Sequence, residues 1–138
     1  MTIDPYLKLM AQKAASDLFF TTGAPVCMKV NGLTSRISKT ALEPGTVKKI
    51  AYEILSEQQI KEFEETKEMN LGISIVGGGR FRVNVYLQRG EVSMVIRYIK
   101  CDIPSVEKLG LPTILRELVM KQNGLVLVVG STGPERTV

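Results

Sequence analysis

An apolar run near the end of this chain limits the folds that the chain can adopt. Residues Leu125 to Val129 are all aliphatic and lead directly into Gly130. A run that is short, β-rich and unbroken is typical of a strand buried on both faces. We therefore predict a strand over 125–129 that leads into a loop.

That loop departs from the phosphate-binding pattern G-x-x-x-x-G-K-[ST]. Gly130 and Thr137 occupy the first and last positions, but Glu135 replaces the second glycine and Arg136 replaces the lysine. In a working loop the glycines let backbone N–H groups surround the phosphates, the lysine reaches the β and γ phosphates, and the hydroxyl binds magnesium. The planar guanidinium and the added carboxylate predict that this loop is not functional.

Composition excludes several classes of site. With 138 residues, the chain fits one domain, or one domain and a fragment. Cys27 and Cys101 lack C-x-x-C spacing and histidine is absent, which argues against a zinc site or a disulfide framework and favours free thiols in a reducing cytosol. We expect no transmembrane segment and no export signal. The net charge of +4 is spread among acidic residues, so it is weak evidence for a nucleic-acid partner.

Local signals in the first half predict a helix, a short strand over Leu18–Thr21, a hairpin and two more helices. Asn31-Gly32 is a strong hairpin signal and joins Val26–Val30 to Leu33–Ile37. A helix follows Pro44, and Ser56 with Gln59 predicts a capping box at the start of the next helix.

A strand meander follows. Its predicted strands are Met69–Val76, Arg80–Gln88 and Glu91–Ile99. In the second strand one face carries Phe81, Val83, Val85 and Leu87, and the other carries Arg80, Arg82, Asn84, Tyr86 and Gln88. After a linker, a helix from Pro112 should bury Ile114, Leu115, Leu118 and Val119. This order of elements predicts an α+β fold, an antiparallel sheet with packed helices.

The segments GLVLVVGSTG, GRFRVNVYLQR and MVIRYI resemble those of the secretion and twitching-motility ATPases of type IV pili, the PilT and PilU family. SDLFFTTGAP, MKVNG and VSMVIR are more similar to PilU than to PilT. The resemblance covers residues 1–133 and departs at Pro134, where family members continue with S-G-K-S-T. It implies a PAS-like N-terminal domain over residues 1–100, a linker over 101–111, and the truncated start of a RecA-like P-loop ATPase domain, its first helix and strand, over 112–138.

The resemblance also implies a function. The chain would be the N-terminal fragment of a hexameric ATPase that powers type IV pilus retraction, with this domain as a moving lever. Arginines of the RFR and VIR motifs, Arg80, Arg82 and Arg97, would face nucleotide phosphate at the seam between domains. A partial P-loop would be formed by Gly130, Ser131, Thr132 and Gly133.

The same resemblance implies cofactors and partners for the parent protein. The parent would use ATP and Mg, form a homo-oligomeric ring, and contact the pilus inner-membrane platform protein and related pilus ATPases. It would be cytoplasmic and peripheral to the inner membrane. We expect this chain alone to be inactive, with no catalytic residue, no metal site, no cofactor and no nucleic-acid partner.

Other interpretations remain open. The arginines could simply be solvated on an exposed sheet face. The chain could be a non-enzymatic PAS-like sensory or interaction domain, which a small ligand in a single-domain pocket would favour. A nucleic-acid-binding module is suggested only by the basic charge, and binding that weakens steeply with salt would support it.

Overall fold

The computed structural model describes residues 2–76, 79–99, 105–127 and 129. The chain divides into two compact units, Met1–Cys101 and Asp102–Val138. The elements in chain order are α1 (Asp4–Gln12), β1 (Asp17–Phe20), β2 (Cys27–Val30), β3 (Leu33–Arg36), α2 (Thr46–Tyr52), α3 (Glu57–Thr66), β4 (Glu68–Ile75), β5 (Gly79–Gln88), β6 (Glu91–Ile99) and, in the second unit, α4 (Ile114–Leu118).

The first unit contains a six-stranded sheet in the order β3-β2-β1-β6-β5-β4. All neighbouring strands pair antiparallel. The central contact joins β1 to β6, from Asp17 opposite Arg97 to Phe20 opposite Met94. This contact connects the N-terminal strands to the meander β4–β6 in one sheet.

Helices α1, α2 and α3 pack on one face of this sheet. In β5, Phe81, Val83 and Val85 are buried, whereas Arg80 and Arg82 are exposed. One hydrophobic core contains side chains from both layers: Leu7 and Met10 of α1, Val47, Ile50 and Ala51 of α2, Phe63 of α3, and Leu18, Phe20, Met28, Phe81, Val83, Val85, Met94 and Ile96 of the strands. The α+β prediction is therefore confirmed. The opposite face, which we call the outer face, carries the alternate residues of each strand.

Two local signals act as predicted. Asn31 and Gly32 both have positive φ, 49° and 79°, which is the backbone that a tight two-residue hairpin requires. At the start of α3, Ser56 Oγ accepts a hydrogen bond from the Gln59 N–H at 3.3 Å, and Gln59 Oε1 accepts one from the Ser56 N–H at 2.9 Å. These reciprocal bonds satisfy two helix N–H groups and fix where α3 begins.

Leu87 shares a face with Phe81, Val83 and Val85, as the alternation predicts, but it is not buried as they are. It is 42% exposed, although it follows the buried residues of β5 in alternation. Leu87 lies next to the end of the strand, at Gln88, where β5 turns into β6. A side chain at a sheet margin has neighbours on fewer sides, so alternation alone does not bury it.

The second unit differs from the sequence prediction. The expected helix is short, and Ile114 and Val119, predicted to be buried, are 52% and 76% exposed. The strand predicted over 125–129 is not formed in its described residues 125–127 and 129, which have no regular structure and are exposed. A doubly buried strand needs hydrogen-bonded neighbouring strands and covering helices. The described part of this unit contains no strand, and the helix that it does contain, α4, leaves residues 125–127 and 129 exposed.

Candidate functional site

Three arginines lie together on the outer face of the sheet. Arg80 and Arg82 extend from β5 and Arg97 from β6. The strand register places Arg82 directly opposite Arg97 and Arg80 opposite Ile99. Residues opposite each other across two strands project to the same side, with Cβ atoms about 5 Å apart. The structure thus brings together all three arginines singled out in the sequence.

The row that contains Arg82 and Arg97 continues across the sheet. Arg97 is opposite Asp17 of β1, and Asp17 is opposite Lys29 of β2. This row, which we call the charged row, therefore has the order Arg82, Arg97, Asp17, Lys29. Like charges directly opposite each other in a sheet are unfavourable, so the Arg82–Arg97 pair is not explained by stability alone.

Arg97 is held by the one acidic residue of the charged row. Its Nε donates a hydrogen bond to Asp17 Oδ1 at 2.9 Å. The Asp17 side chain is only 10% exposed, whereas that of Arg97 is 68% exposed. The carboxylate is thus enclosed by the sheet surface, and the guanidinium extends from it into solvent.

Arg80 and Arg82 have no such partner in the described part of the chain. Within the described residues, the guanidinium groups of Arg80 and Arg82 make no hydrogen bond or ion pair with another side chain. Both residues are exposed. Their donors are available to an anion, and charge-assisted bonds to phosphate oxygens are among the strongest that a guanidinium forms.

A hydrogen-bonded network of two amides and one carboxylate flanks the arginines. Asn84 Nδ2 donates to Glu68 Oε1 and to Asn70 Oδ1, both at 3.1 Å, and Asn70 Nδ2 donates to Glu68 Oε1 at 3.3 Å. These residues lie on the outer faces of β4 and β5, two positions along β5 from Arg82. The network engages the Glu68 carboxylate with amide donors, so that the acid is not paired with an arginine.

The predicted phosphate loop cannot be placed in this site. Gly130, Ser131, Thr132 and Gly133 lie outside the described residues, so their role stays a prediction. Among the residues that the structure does describe, no group of three or more His, Cys, Asp or Glu side chains could hold a metal ion. No helix in the described part of the chain is both long and apolar enough to cross a membrane.

A shallow cavity lies on another part of the first unit. It has a volume of ≈ 200 Å³ and is lined by Tyr52, Phe63 and Leu87, among others. The Tyr52 hydroxyl donates to Glu64 Oε1 at 3.0 Å, and the Lys48 ammonium lies 5.1 Å from the Tyr52 ring centre. Partial burial raises the pKa of Tyr52, and the hydrogen bond to Glu64 raises it further. The volume is below the roughly 300 Å³ at which small-molecule pockets usually begin.

The sequence interpretation missed Asp17. Ser16-Asp17 reads locally as the end of a helical pattern, and nothing near it in the chain indicates a partner. The partner, Arg97, lies 80 positions away and meets Asp17 only because β1 pairs with β6. The one available signal was that Asp17 precedes the apolar residues of a strand, as a polar residue of an outer face would.

Individual known proteins align with almost the whole chain. No protein-family profile matches it. Over 133 residues it is 44% identical to the type IV pilus ATPase PilU of Pseudomonas aeruginosa, a match that covers 96% of this chain and 35% of that protein. It is 35% identical over 133 residues to the type IV pilus retraction ATPase PilT of the same organism, covering 96% of this chain and 39% of that one. The chain thus spans less than half the length of these relatives.

Solved structures agree with the sequence comparison. The crystal structure of the pilus retraction motor PilT with bound ADP has a TM-score of 0.74 and 35% sequence identity, covering 92% of this chain and 38% of that one. The ATPase DotB of Legionella pneumophila shares the fold, with a TM-score of 0.63 at 23% identity over 96% of this chain and 37% of that one. The higher identity to PilU confirms the prediction that the chain is more similar to PilU than to PilT. The chain belongs to the type IV pilus ATPase family of PilU and PilT and corresponds to the N-terminal part of such a protein.

Proposed function

We propose that this chain is the N-terminal part of a hexameric ATPase that powers type IV pilus retraction, and that Arg80, Arg82 and Arg97 face the phosphates of a nucleotide bound by the motor domain. The observation that carries the proposal is the placement of three exposed guanidinium groups on one sheet face, two of them without a carboxylate partner among the described residues. The relatives support it, since PilU is named a pilus ATPase and a PilT structure contains ADP.

The chemistry of the site fits a phosphate. Charge on the γ-phosphoryl oxygens must be stabilised in phosphoryl transfer, and a guanidinium brought to them can contribute a large part of the rate. The arginines lie on strands whose other face is the core, so the sheet fixes their spacing. Movement of this domain as a lever would bring that fixed set of donors toward the nucleotide or take it away.

In the parent protein, ATP would be held by the complete phosphate loop, with Mg bound by the loop hydroxyl and by acidic residues of the motor domain. The described residues of this chain supply the arginines and no group of metal ligands. The parent would act as a ring in the cytoplasm, against the inner-membrane platform of the pilus and alongside related pilus ATPases.

The alternative function as a PAS-like sensory domain would need a ligand pocket inside the first unit. The cavity lined by Tyr52, Phe63 and Leu87 is small for that purpose, and the larger depression beside it, of ≈ 600 Å³ at Lys48, Lys49 and Glu53, is open to solvent. The arrangement of the arginines therefore favours the ATPase proposal.

A chimera tests the proposal. Residues 1–133 replace the matching part of the Pseudomonas aeruginosa PilU, so that a complete motor domain follows. Arg97→Ala and Arg82→Ala should each lower kcat by about 10³-fold, the scale of other arginine fingers, with a smaller effect on ATP affinity. Arg36→Ala is the matched control, because Arg36 is an exposed arginine on edge strand β3. Unchanged turnover in both arginine variants, with the fold intact, would show that these arginines are only solvated.

A further inference from the structure

The charged row contains a single acid, and that acid is nearly buried. Asp17 has basic neighbours on both sides, Arg97 on β6 and Lys29 on β2. Its hydrogen bond goes to Arg97, whereas no ion pair joins it to Lys29 within 4 Å. The carboxylate is therefore committed to one of two available cations.

The atom of Arg97 that Asp17 contacts determines which guanidinium donors remain available for other hydrogen bonds. The bond is to Nε, the guanidinium nitrogen nearest the backbone. The two terminal amino groups make no hydrogen bond with another described residue. A guanidinium anchored through Nε keeps a planar fork of donors, which matches the oxygens of a phosphate.

An ordinary structural ion pair does not explain this geometry well. A pair with one exposed partner contributes little to stability, because solvent screens it. Enclosing a carboxylate also costs solvation free energy, which a single hydrogen bond to a largely solvated arginine offsets only in part. A residue that fixes the orientation of an exposed functional side chain accounts for both the burial of Asp17 and the exposure of Arg97.

We propose that Asp17 is a positioning residue that holds Arg97 by Nε and leaves its two terminal amino groups free to bind a phosphate. The inference rests on the proposed function, since it assumes that Arg97 meets nucleotide phosphate. Asp17 itself touches no phosphate. Its effect on binding passes through the arginine, which would otherwise have to be ordered when the anion binds.

Charge and positioning predict opposite results when Asp17 is neutralised. Removing a negative charge close to an anion site should strengthen anion binding, by about twofold to threefold at such distances in water. Releasing Arg97 should weaken binding, because ordering a long side chain costs about threefold to tenfold in affinity. The sign of the change therefore separates the two roles.

The test measures the binding of inorganic tripolyphosphate to the 138-residue chain, and ¹⁵N NMR detects the binding. The variants are Asp17→Asn, Arg97→Ala and the double variant, and unfolding curves verify that each is folded. We expect Arg97→Ala to weaken binding about tenfold and Asp17→Asn about threefold. In the Arg97→Ala background, Asp17→Asn should leave binding unchanged or strengthen it. The Arg97 Nε–Hε signal should move in Asp17→Asn before any anion is added.

Two further variants control the experiment. Glu91→Gln removes another partly buried carboxylate, whose Oε2 accepts bonds from the Gly45 N–H at 3.1 Å and the Thr22 hydroxyl at 3.4 Å. It should not weaken binding. If Asp17→Asn does not fold, Arg97→Lys replaces it, because lysine keeps the charge and loses both the Nε anchor and the fork. This variant should bind more weakly than the wild type.

The outcomes separate the two proposals. No binding by the wild-type chain, or equal binding by Arg97→Ala, overturns the phosphate-facing role and the positioning role with it. If Arg97→Ala weakens binding but Asp17→Asn has the same effect in both backgrounds, or none, only the positioning role is overturned. Wild-type affinity in Arg97→Lys has the same meaning.

Discussion

At the scale of single residues, the Tyr98 side chain and the local backbone conformation require glycine at position 79. Its φ is +93°, and a Cβ added to it would lie 2.7 Å from Tyr98 Cε2 and 3.0 Å from the Tyr98 hydroxyl. Gly79→Ala should lower the free energy of unfolding by about 1–3 kcal/mol, because alanine is strained at this φ and displaces the ring. Urea unfolding measures the loss. Gly72→Ala on β4 is the control, since a Cβ there meets nothing within 4 Å, and an equal loss in both variants would contradict the argument.

Glu53 makes one part of the stability depend on pH. Its Oε2 accepts a hydrogen bond from the Thr2 N–H at 2.9 Å, and its Oε1 accepts one from the Thr2 hydroxyl at 2.8 Å. The backbone bond first, and then the hydroxyl bond, hold the pKa of Glu53 below its usual range. Because the folded-state pKa is lowered, the stabilisation is fully present above the ordinary glutamate pKa and is lost as pH falls through the lowered value.

Glu53→Gln should therefore reduce the fall in Tm between neutral pH and pH values below the glutamate range. The control is Glu65→Gln, an exposed glutamate of α3. Thermal unfolding across this interval distinguishes the variants. If Tm falls as much on acidification in Glu53→Gln as in the wild type, the contact of Glu53 with Thr2 does not cause the pH dependence.

Asp17 and Asn31 differ in how far the neighbouring sequence predicts their role in the structure. Asn31 and Gly32 were predictable because a tight turn is defined by adjacent residues and their φ angles. The contact between Asp17 and Arg97 was not predictable, since the two residues are 80 positions apart in the sequence. The arginines Arg80 and Arg82 lie between these cases, because strand alternation predicts a shared face but not what occupies the opposite strand.

At the scale of elements, the start of α3 depends on its capping box. Ser56→Ala removes the acceptor of the Gln59 N–H and should cost about 1 kcal/mol of stability. Gln58→Ala, on the exposed side of the same helix turn, is the matched control. Chemical unfolding and the helical signal in circular dichroism give the comparison. Equal stability of the two variants would mean that packing of Phe63, and not the cap, determines where α3 begins.

The elements also show where prediction from sequence fails. The meander and the hairpin were predicted well because each strand finds its partner a short distance along the chain. The apolar run over 125–129 has an equally clear strand pattern, yet its described residues remain exposed and irregular. A pattern specifies which partners a segment requires, and the strand forms only where those partners are present.

At the scale of the whole molecule, we expect the 138-residue chain to show no ATP hydrolysis of its own. Glu135 and Arg136 replace the second glycine and the lysine of the phosphate loop, and the described residues offer no group of metal ligands. Stabilisation of the transferred phosphoryl group is most of what such an enzyme supplies. A phosphate-release assay with magnesium tests this, and activity that follows the protein through successive columns would prove the expectation wrong.

The pairing of β1 with β6 also affects how the first unit folds during synthesis. Asp17 and Arg97 must meet across 80 positions, and closing so long a segment costs entropy before the contact stabilises anything. During synthesis, β1–β3 emerge first, and the β1 edge that will receive β6 presents unpaired N–H and C=O groups until the meander follows. The interval between translation of β1 and of β6 is therefore the period in which the nascent protein is most exposed to aggregation and to chaperones.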